Sequence, residues 1–388
     1  MIREAVLYLP APQDAHAALL PVAGRAVAAR VVMAAVRGGI QRVRLPAVLR
    51  TPELVRALGA LSPGATTSWL DQDSRPPDGP VLLLPATGLA PVSAFARMRM
   101  AQAPAVLAES RDGGAPLVTA DAGLARTLWD PILAGGALAD VLDHEIKARP
   151  TATLLGGTWW ARVTSASVAA RVEARLFEQL GTAIDTRLDL LLHRRLARPL
   201  TRTAVRLGVT PNQLTLLSLL LGLGAAWSLR TASVEHALVA LLLYAAAVVL
   251  DHADGQVARL TFTESTLGEW LDVVADTLVH AALVVAMGVS AAEASGRGVA
   301  ALGIVAASGV VLSAALAKVV PPPEAGWLRG LLVGLGNRDG FYAAVLAFIV
   351  LLAFAPALLP LLLIVVTAGS HAYWVARLAG LATTRGRA

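Results

Sequence analysis

Apolar and polar positions divide this chain into two unlike halves. In the first, short apolar runs alternate with mixed helical stretches. Ala5–Leu9 is a continuous apolar run stopped by Pro10 and predicts a strand. Gln41–Leu45 predicts a second strand and Pro80–Pro85 a buried third. Ala26–Arg37, rich in small and apolar residues, predicts a helix, as does Pro52–Leu61, and Asp73–Gly79 is a polar loop. Strands alternating with helices imply an α/β domain over 1–165 with a mostly parallel, Rossmann-like sheet. Beyond Pro211 the pattern changes to long apolar runs. Six spans are expected: Gln213–Leu229, His236–Leu250 with a helical extension, Leu267–Val289, Gly298–Lys318, Phe341–Phe354 and Ala357–Ala376. Most approach the roughly 20 residues that cross a hydrocarbon layer. Phe341–Phe354 is short and is expected to begin nearer Asn337, and Ala355-Pro356 joins it to the last span as a tight hairpin. The second domain, 209–380, is therefore expected to be an all-α bundle of six membrane spans.

Between the halves, 166–208 reads as a linker and juxtamembrane segment. Over Ala170–Arg206, Arg187, Arg194, Arg195, Arg198, Arg202 and Arg206 are interleaved with Leu188, Leu191, Leu192 and Leu196. That spacing predicts an amphipathic helix on an anionic membrane surface. Composition agrees. Hydrophobic residues make up 56% of the chain and charged ones only 15%, less charge than a soluble domain carries. The net charge of +6 sits with the arginines beside the first apolar run, which points to lipid headgroups and away from nucleic acid. One set of span ends carries this cluster with Arg259, Lys318, Arg329, Arg338, Arg377, Arg385 and Arg387, whereas the opposite loops carry Arg230 and Arg297. The basic set marks the cytoplasmic side, so both termini and the α/β domain are expected inside, at a cytoplasmic (inner) membrane. Met1–Pro10 has no long apolar core, and no cleavable signal peptide is expected. The absence of cysteine excludes disulfides, thiolate metal sites and a catalytic thiol.

The candidate chemistry lies between Asp251 and Asp276. Asp251 and Asp254 are three apart on one helix and share a face; Asp272 and Asp276 are four apart on the next and share another. The short connection predicts antiparallel neighbouring helices, so four carboxylates converge on one point. Carboxylates inside a membrane protein are costly unless paired, and four together repel. Divalent cations resolve both problems, and oxygen-only ligands suit two Mg2+ or Mn2+ ions, the arrangement for phosphoryl transfer. Gly255 lets a ligand approach the backbone beside Asp254, Gly268 leaves room one turn before Asp272, and Arg259 pairs with a carboxylate or a phosphate.

The pattern D-x2-D-G-x2-A-R-x8-G-x3-D-x3-D, formed by Asp251, Asp254, Gly255, Ala258, Arg259, Gly268, Asp272 and Asp276, resembles the signature of CDP-alcohol phosphotransferases at every fixed position. Thr210-Pro211-Asn212-Gln213-Leu214-Thr215 is similar to the PNxxT opening of that family's first span, and Asn337-Arg338-Asp339 and His371-Ala372-Tyr373-Trp374 resemble it more loosely. The resemblance covers about Ala197 to Arg377. It implies a homodimer of six-span protomers with a polar cavity facing the cytoplasm, and transfer of a phosphoalcohol from a CDP-linked donor to a second alcohol with release of CMP. The donor is CDP-diacylglycerol or CDP-inositol, and the acceptor alcohol carries a phosphate in some members. By the same resemblance Asp251, Asp254 and Asp272 bind metal, and Asp276 sits at the second metal and deprotonates the acceptor. Asn212, Thr215, Asp251, Gly255, Ala258, Arg259 and Gly268 hold the CDP moiety. Arg195, Lys318, Arg338 and Arg377 are candidates for the acceptor's phosphate.

Leu20 to Val43 resembles the early part of a sugar-nucleotidyltransferase domain, with Leu20-Pro21-Val22-Ala23-Gly24-Arg25 in place of its "pvaGrP" stretch. That family cradles a triphosphate in a glycine-rich basic loop. Here the loop Pro10–Pro21 has no glycine, lysine or arginine, and Ala86-Thr87-Gly88 stands where an acidic metal ligand is expected. The domain therefore reads as degenerate and inactive. Its fusion to the membrane half resembles bifunctional enzymes that make CDP-inositol and then di-inositol phosphate. Two other readings are an active cytidylyltransferase in that domain and a non-catalytic membrane scaffold.

Overall fold

The computed structural model describes residues 1–59, 61, 64–107, 116–135, 138–149, 152–154, 159–180, 193–320 and 338–385, without the side chains of 152–154, 297, 338 and 380–385. Arg187, Arg329, Asn337 and Arg387 lie outside the described residues. The chain folds as two units, Met1–Gln179 and Leu180–Ala388.

The first unit is built on a seven-stranded sheet. Its strands are β1 (Glu4–Tyr8), β2 (Arg42–Pro46), β3 (Thr66–Leu70), β4 (Val81–Pro85), β5 (Ala105–Leu107), β6 (Val118–Ala120) and β7 (Ala152–Leu154). They lie in the order β7-β5-β6-β4-β1-β2-β3. β1 pairs in parallel with β2 and β4, with Ala5 opposite both Val43 and Leu82. β6 runs antiparallel to both of its neighbours, so the sheet is mixed. Every residue of β1 and β4 is buried, which explains why they read as unbroken apolar runs. Val6, Tyr8 and Leu83 pack with Trp129, Ile132 and Leu142 on one face.

Leu20–Val27 forms a small hairpin, Pro21–Val22 against Arg25–Ala26, turned by Ala23 and Gly24 at positive φ. The helix Val27–Arg37 follows it directly. From this helix the buried Arg30 donates to the Val22 carbonyl at 3.2 Å. Burial lowers its guanidinium to about 10, still protonated at neutral pH. The first domain, expected to end at 165, runs through Gln179. Its last helix, Ala166–Glu178, buries Val172 and Phe177, and Glu173 accepts the Ala23 N–H at 2.8 Å. The amphipathic segment expected over Ala170–Arg206 is therefore not one element. Its beginning belongs to the α/β unit, and Arg194–Leu207 forms a separate helix of the second unit.

The second unit consists of α1 (Arg194–Leu207), α2 (Pro211–Leu229), α3 (Val234–Thr261), α4 (Thr266–Ser295), α5 (Ala300–Val319), α6 (Arg338–Phe354) and α7 (Leu359–Arg385). α2, α3, α4, α5 and the α7 region are long and apolar enough to cross a membrane, and α6 is a shorter apolar helix. The termini are set by local chemistry. Gly208, in the left-handed region, ends α1. Thr210 and Gln213 form a reciprocal capping box at the start of α2, with Pro211 in its first turn. The Ser265 side chain accepts the Gly268 N–H at 3.0 Å and starts α4.

α2 is the hub of the site. α3 and α4 both pack closely along α2 and meet each other through side chains, as their short connection implies: the Tyr244 hydroxyl of α3 lies 3.0 Å from His280 Nε2 of α4. Gly222 allows the α4 approach: a Cβ there would stand 2.4 Å from Val279 Cγ2. α1 crosses α3, where the Thr201 hydroxyl donates to Gln256 Oε1 at 2.8 Å.

Candidate active site

Asp251 and Asp254 lie one turn apart near the C-terminal end of α3, and Asp272 lies in the second turn of α4. One carboxylate oxygen from each lies within 4.8 Å of the others. Asp254 is only 5% exposed. Its Oδ2 accepts from the Thr215 hydroxyl of α2 at 2.5 Å. Three carboxylates this close, in an apolar bundle, call for positive charge among them.

Asp276, one turn beyond Asp272, does not join that group. Its Oδ1 is 3.3 Å from His280 Nδ1. It also lines a narrow gap with Asp251, Tyr244 and Ser218. Of the four acids expected to converge, three do, and the fourth stands beside them facing an imidazole.

A cavity of about 480 Å3 opens against the group, lined by Asp254 and Asp272. Asn212, Thr215, Gly255, Ala258, Arg259 and Gly268 line it too, whereas Asp251 does not. Both glycines line the cavity and also relieve close contacts within the protein. A Cβ on Gly255 would meet Arg259 Nη1 at 3.3 Å, so this glycine makes room for the guanidinium of its own helix. A Cβ on Gly268 would meet Ser265 Oγ at 3.1 Å and Asn212 Oδ1 at 3.3 Å, so Gly268 admits the tip of α2.

The turn between α3 and α4 supplies Thr263, Glu264, Ser265 and Thr266 to the same cavity. Sequence reasoning passed over these residues; the Ser-x-x-Gly start of α4 was the available signal. Phe262 opens the turn at φ 57°, a conformation costing a bulky residue ~1–2 kcal/mol. That strain directs the chain back toward α2.

A second cavity, about 690 Å3 and mainly apolar, is formed by α4, α5, α6 and α7. Asp276 and His280 are its acidic and basic groups, and Phe341, Ala344, Val366 and Tyr373 line its body.

Residues 208–384 match the model of the CDP-alcohol phosphatidyltransferase family. The match lies within the second unit and covers somewhat less than half of the chain. A stretch of 75 residues is 42% identical to CDP-diacylglycerol–serine O-phosphatidyltransferase of Mycobacterium leprae (strain TN), covering 19% of this chain and 24% of that protein. The match thus spans about a quarter of the length of this curated relative.

Within the second unit the expected acceptor cations are dispersed. Lys318 is paired with Glu269 at 2.5 Å and lies 5.5 Å from the Trp270 ring. Arg377 is buried, donates to the Leu316 carbonyl at 3.4 Å and sits over Tyr373. Arg195 is exposed on α1. None of these three lines either cavity. Arg338 begins α6, and its side chain is outside the described residues. Trp374 Nε1 donates to His371 Nδ1, and His371 Nε2 donates to the Val305 carbonyl, tying α7 to α5.

Proposed function

We propose that this protein is a membrane transferase of substituted phosphate groups, moving a phosphatidyl unit from CDP-diacylglycerol to an acceptor alcohol with release of CMP. The observation that carries the reading is the Asp251–Asp254–Asp272 group at the wall of the polar cavity, inside the region that matches the family. The apolar cavity beside Asp276 supports a lipid substrate over a water-soluble one, since a free inositol phosphate gains nothing from such walls.

The donor set fits a hard divalent cation, because all three groups offer carboxylate oxygen. Asp251, Asp254 and Asp272 would hold Mg2+ or Mn2+, which when bound neutralises the diphosphate and stabilises charge building on the phosphoryl oxygens. The family's two-ion pattern gives Asp276 to the second ion as well. Asn212, Thr215 and Arg259 place the cytidine and phosphates in the polar cavity. Asp276 takes the acceptor's proton as its oxygen bonds to the phosphorus bearing diacylglycerol, the anhydride P–O bond breaks, and CMP departs with the electron pair. The basic span ends support six spans with this site at the cytoplasmic face, and the resemblance adds a homodimer.

The first unit we read as a nucleotidyltransferase-like domain without transferase activity. Where a phosphate-binding loop is needed, Asp14 pairs with Arg162 at 2.5 Å and accepts the Ala11 N–H at 3.0 Å. The Ala23 N–H is likewise taken by Glu173. Carboxylates occupy the donors that a phosphate would use.

The test is CMP release by purified full-length protein from CDP-diacylglycerol and from CDP-inositol, each with serine, glycerol phosphate or inositol phosphate. We expect release from the lipid donor with Mg2+, its abolition by EDTA, and a loss of ~100-fold or more in Asp276→Asn at unchanged thermal midpoint. Release from CDP-inositol alone overturns the phosphatidyl assignment. Wild-type turnover by Asp276→Asn overturns the role of that residue.

A further inference from the structure

His280 is a polar ring one turn beyond Asp276 on an apolar, membrane-length helix. A histidine there is costly unless its two nitrogens are satisfied. Nδ1 lies 2.7 Å from the Asp276 carbonyl oxygen, which only accepts, so Nδ1 carries the hydrogen. In the neutral ring Nε2 is then an acceptor, and the Tyr244 hydroxyl, 3.0 Å away, donates to it. Both ends of the imidazole are thereby fixed.

The surrounding rings fix its plane. Phe341 stands edge-on to His280 at 4.4 Å between centroids, and Tyr244 does so at 5.8 Å. Tyr244 is itself 1% exposed and packed against Phe341 and Tyr342. Asp276 Oδ1 lies 3.3 Å from the same Nδ1, beside the carbonyl oxygen that accepts its hydrogen. A histidine that served only to satisfy its own helix would not need a buried tyrosine from α3 to set its tautomer.

We propose that His280, locked by Tyr244, is a positioning residue that holds the Asp276 carboxylate in the orientation the transfer requires. Asp276 lies where the apolar cavity meets the gap shared with Asp251, so rotation of its carboxylate moves the accepting oxygen away from the place where the two meet. An error of about 1 Å in such a group costs on the order of 100-fold in rate. This inference rests on the reading of Asp276 as the proton acceptor.

The experiment uses the full-length protein, CDP-diacylglycerol and whichever of the three acceptors supports CMP release. His280→Ala is expected to lower kcat ~10- to 100-fold with the KM for CDP-diacylglycerol unchanged. His280→Asn, whose amide reproduces the Nδ1 donor, is expected to recover most of the loss. Tyr244→Phe is expected to fall between them. In an Asp276→Asn background, His280→Ala is expected to add no further loss, because it acts through that carboxylate. Equal turnover by His280→Ala and wild type overturns the inference while leaving Asp276 in place. So does a multiplicative loss in the double variant, or a His280→Asn variant that folds with the wild-type thermal midpoint yet is as slow as alanine. Wild-type turnover by Asp276→Asn sinks the underlying reading instead.

Discussion

Thr215 is the residue on which the acidic group leans. Its hydroxyl gives Asp254 a buried, charge-assisted hydrogen bond across two helices, and it lies 3.1 Å from the Pro211 carbonyl of its own first turn. Thr215→Val keeps the shape and removes the donor, a change worth ~1.5–3 kcal/mol at a charged acceptor. We expect the Mg2+ concentration for half-maximal CMP release to rise ~10-fold or more, with Thr215→Ser restoring it; an unchanged Mg2+ titration would remove Thr215 from the site. The eight spaced positions of the acidic segment were legible because they lie close together on two consecutive helices. The Thr215–Asp254 bond was not, since it joins residues far apart in the chain. Nor was the part played by His280, whose partners come from α3 and α6. Phe262 was hidden for another reason: a left-handed residue is read from glycine or asparagine, and phenylalanine gives no such signal.

At the scale of elements, helix existence followed from hydropathy, and helix contacts followed from small residues. α4 and α5 cross where Gly288 meets Gly303, and a Cβ on Gly303 would lie 2.7 Å from the Val284 carbonyl and 2.9 Å from Gly288 Cα. Backbone cannot yield as a side chain can, so Gly303→Ala is expected to cost ~1–3 kcal/mol. Gly224→Ala, whose Cβ would make an ordinary 3.8 Å contact with Leu243, is the control. Thermal unfolding in detergent should show a lower midpoint for the first variant alone; matching midpoints would mean that the crossing yields to a methyl group. The same reasoning places the acidic helices: Gly222 gives α4 a close seat on α2 beside α3, so Asp272 comes to Asp251 and Asp254. Span ends were less legible than spans, because α3 and α4 continue past the apolar stretch on their capping residues Phe262 and Ser265.

For the molecule as a whole, the length of the apolar runs separated an α/β half from an apolar half, since the long helices carry apolar residues on their exposed sides as well. The mixed sheet could not be read in advance, because the antiparallel direction of β6 depends on pairings between strands distant in the chain. The occupied donors in the first unit lead to a prediction for the intact protein: with CTP, inositol phosphate and Mg2+ it should release no pyrophosphate above background. Pyrophosphate formation would restore the bifunctional reading. The polar cavity also bears on how the protein is made. Among the described residues, those lining it lie between Pro211 and Asp272, while the apolar cavity draws also on α5, α6 and α7. On the proposed reading, the ribosome therefore delivers these walls of the nucleotide's cavity, on three consecutive helices, before the later walls that would receive a lipid.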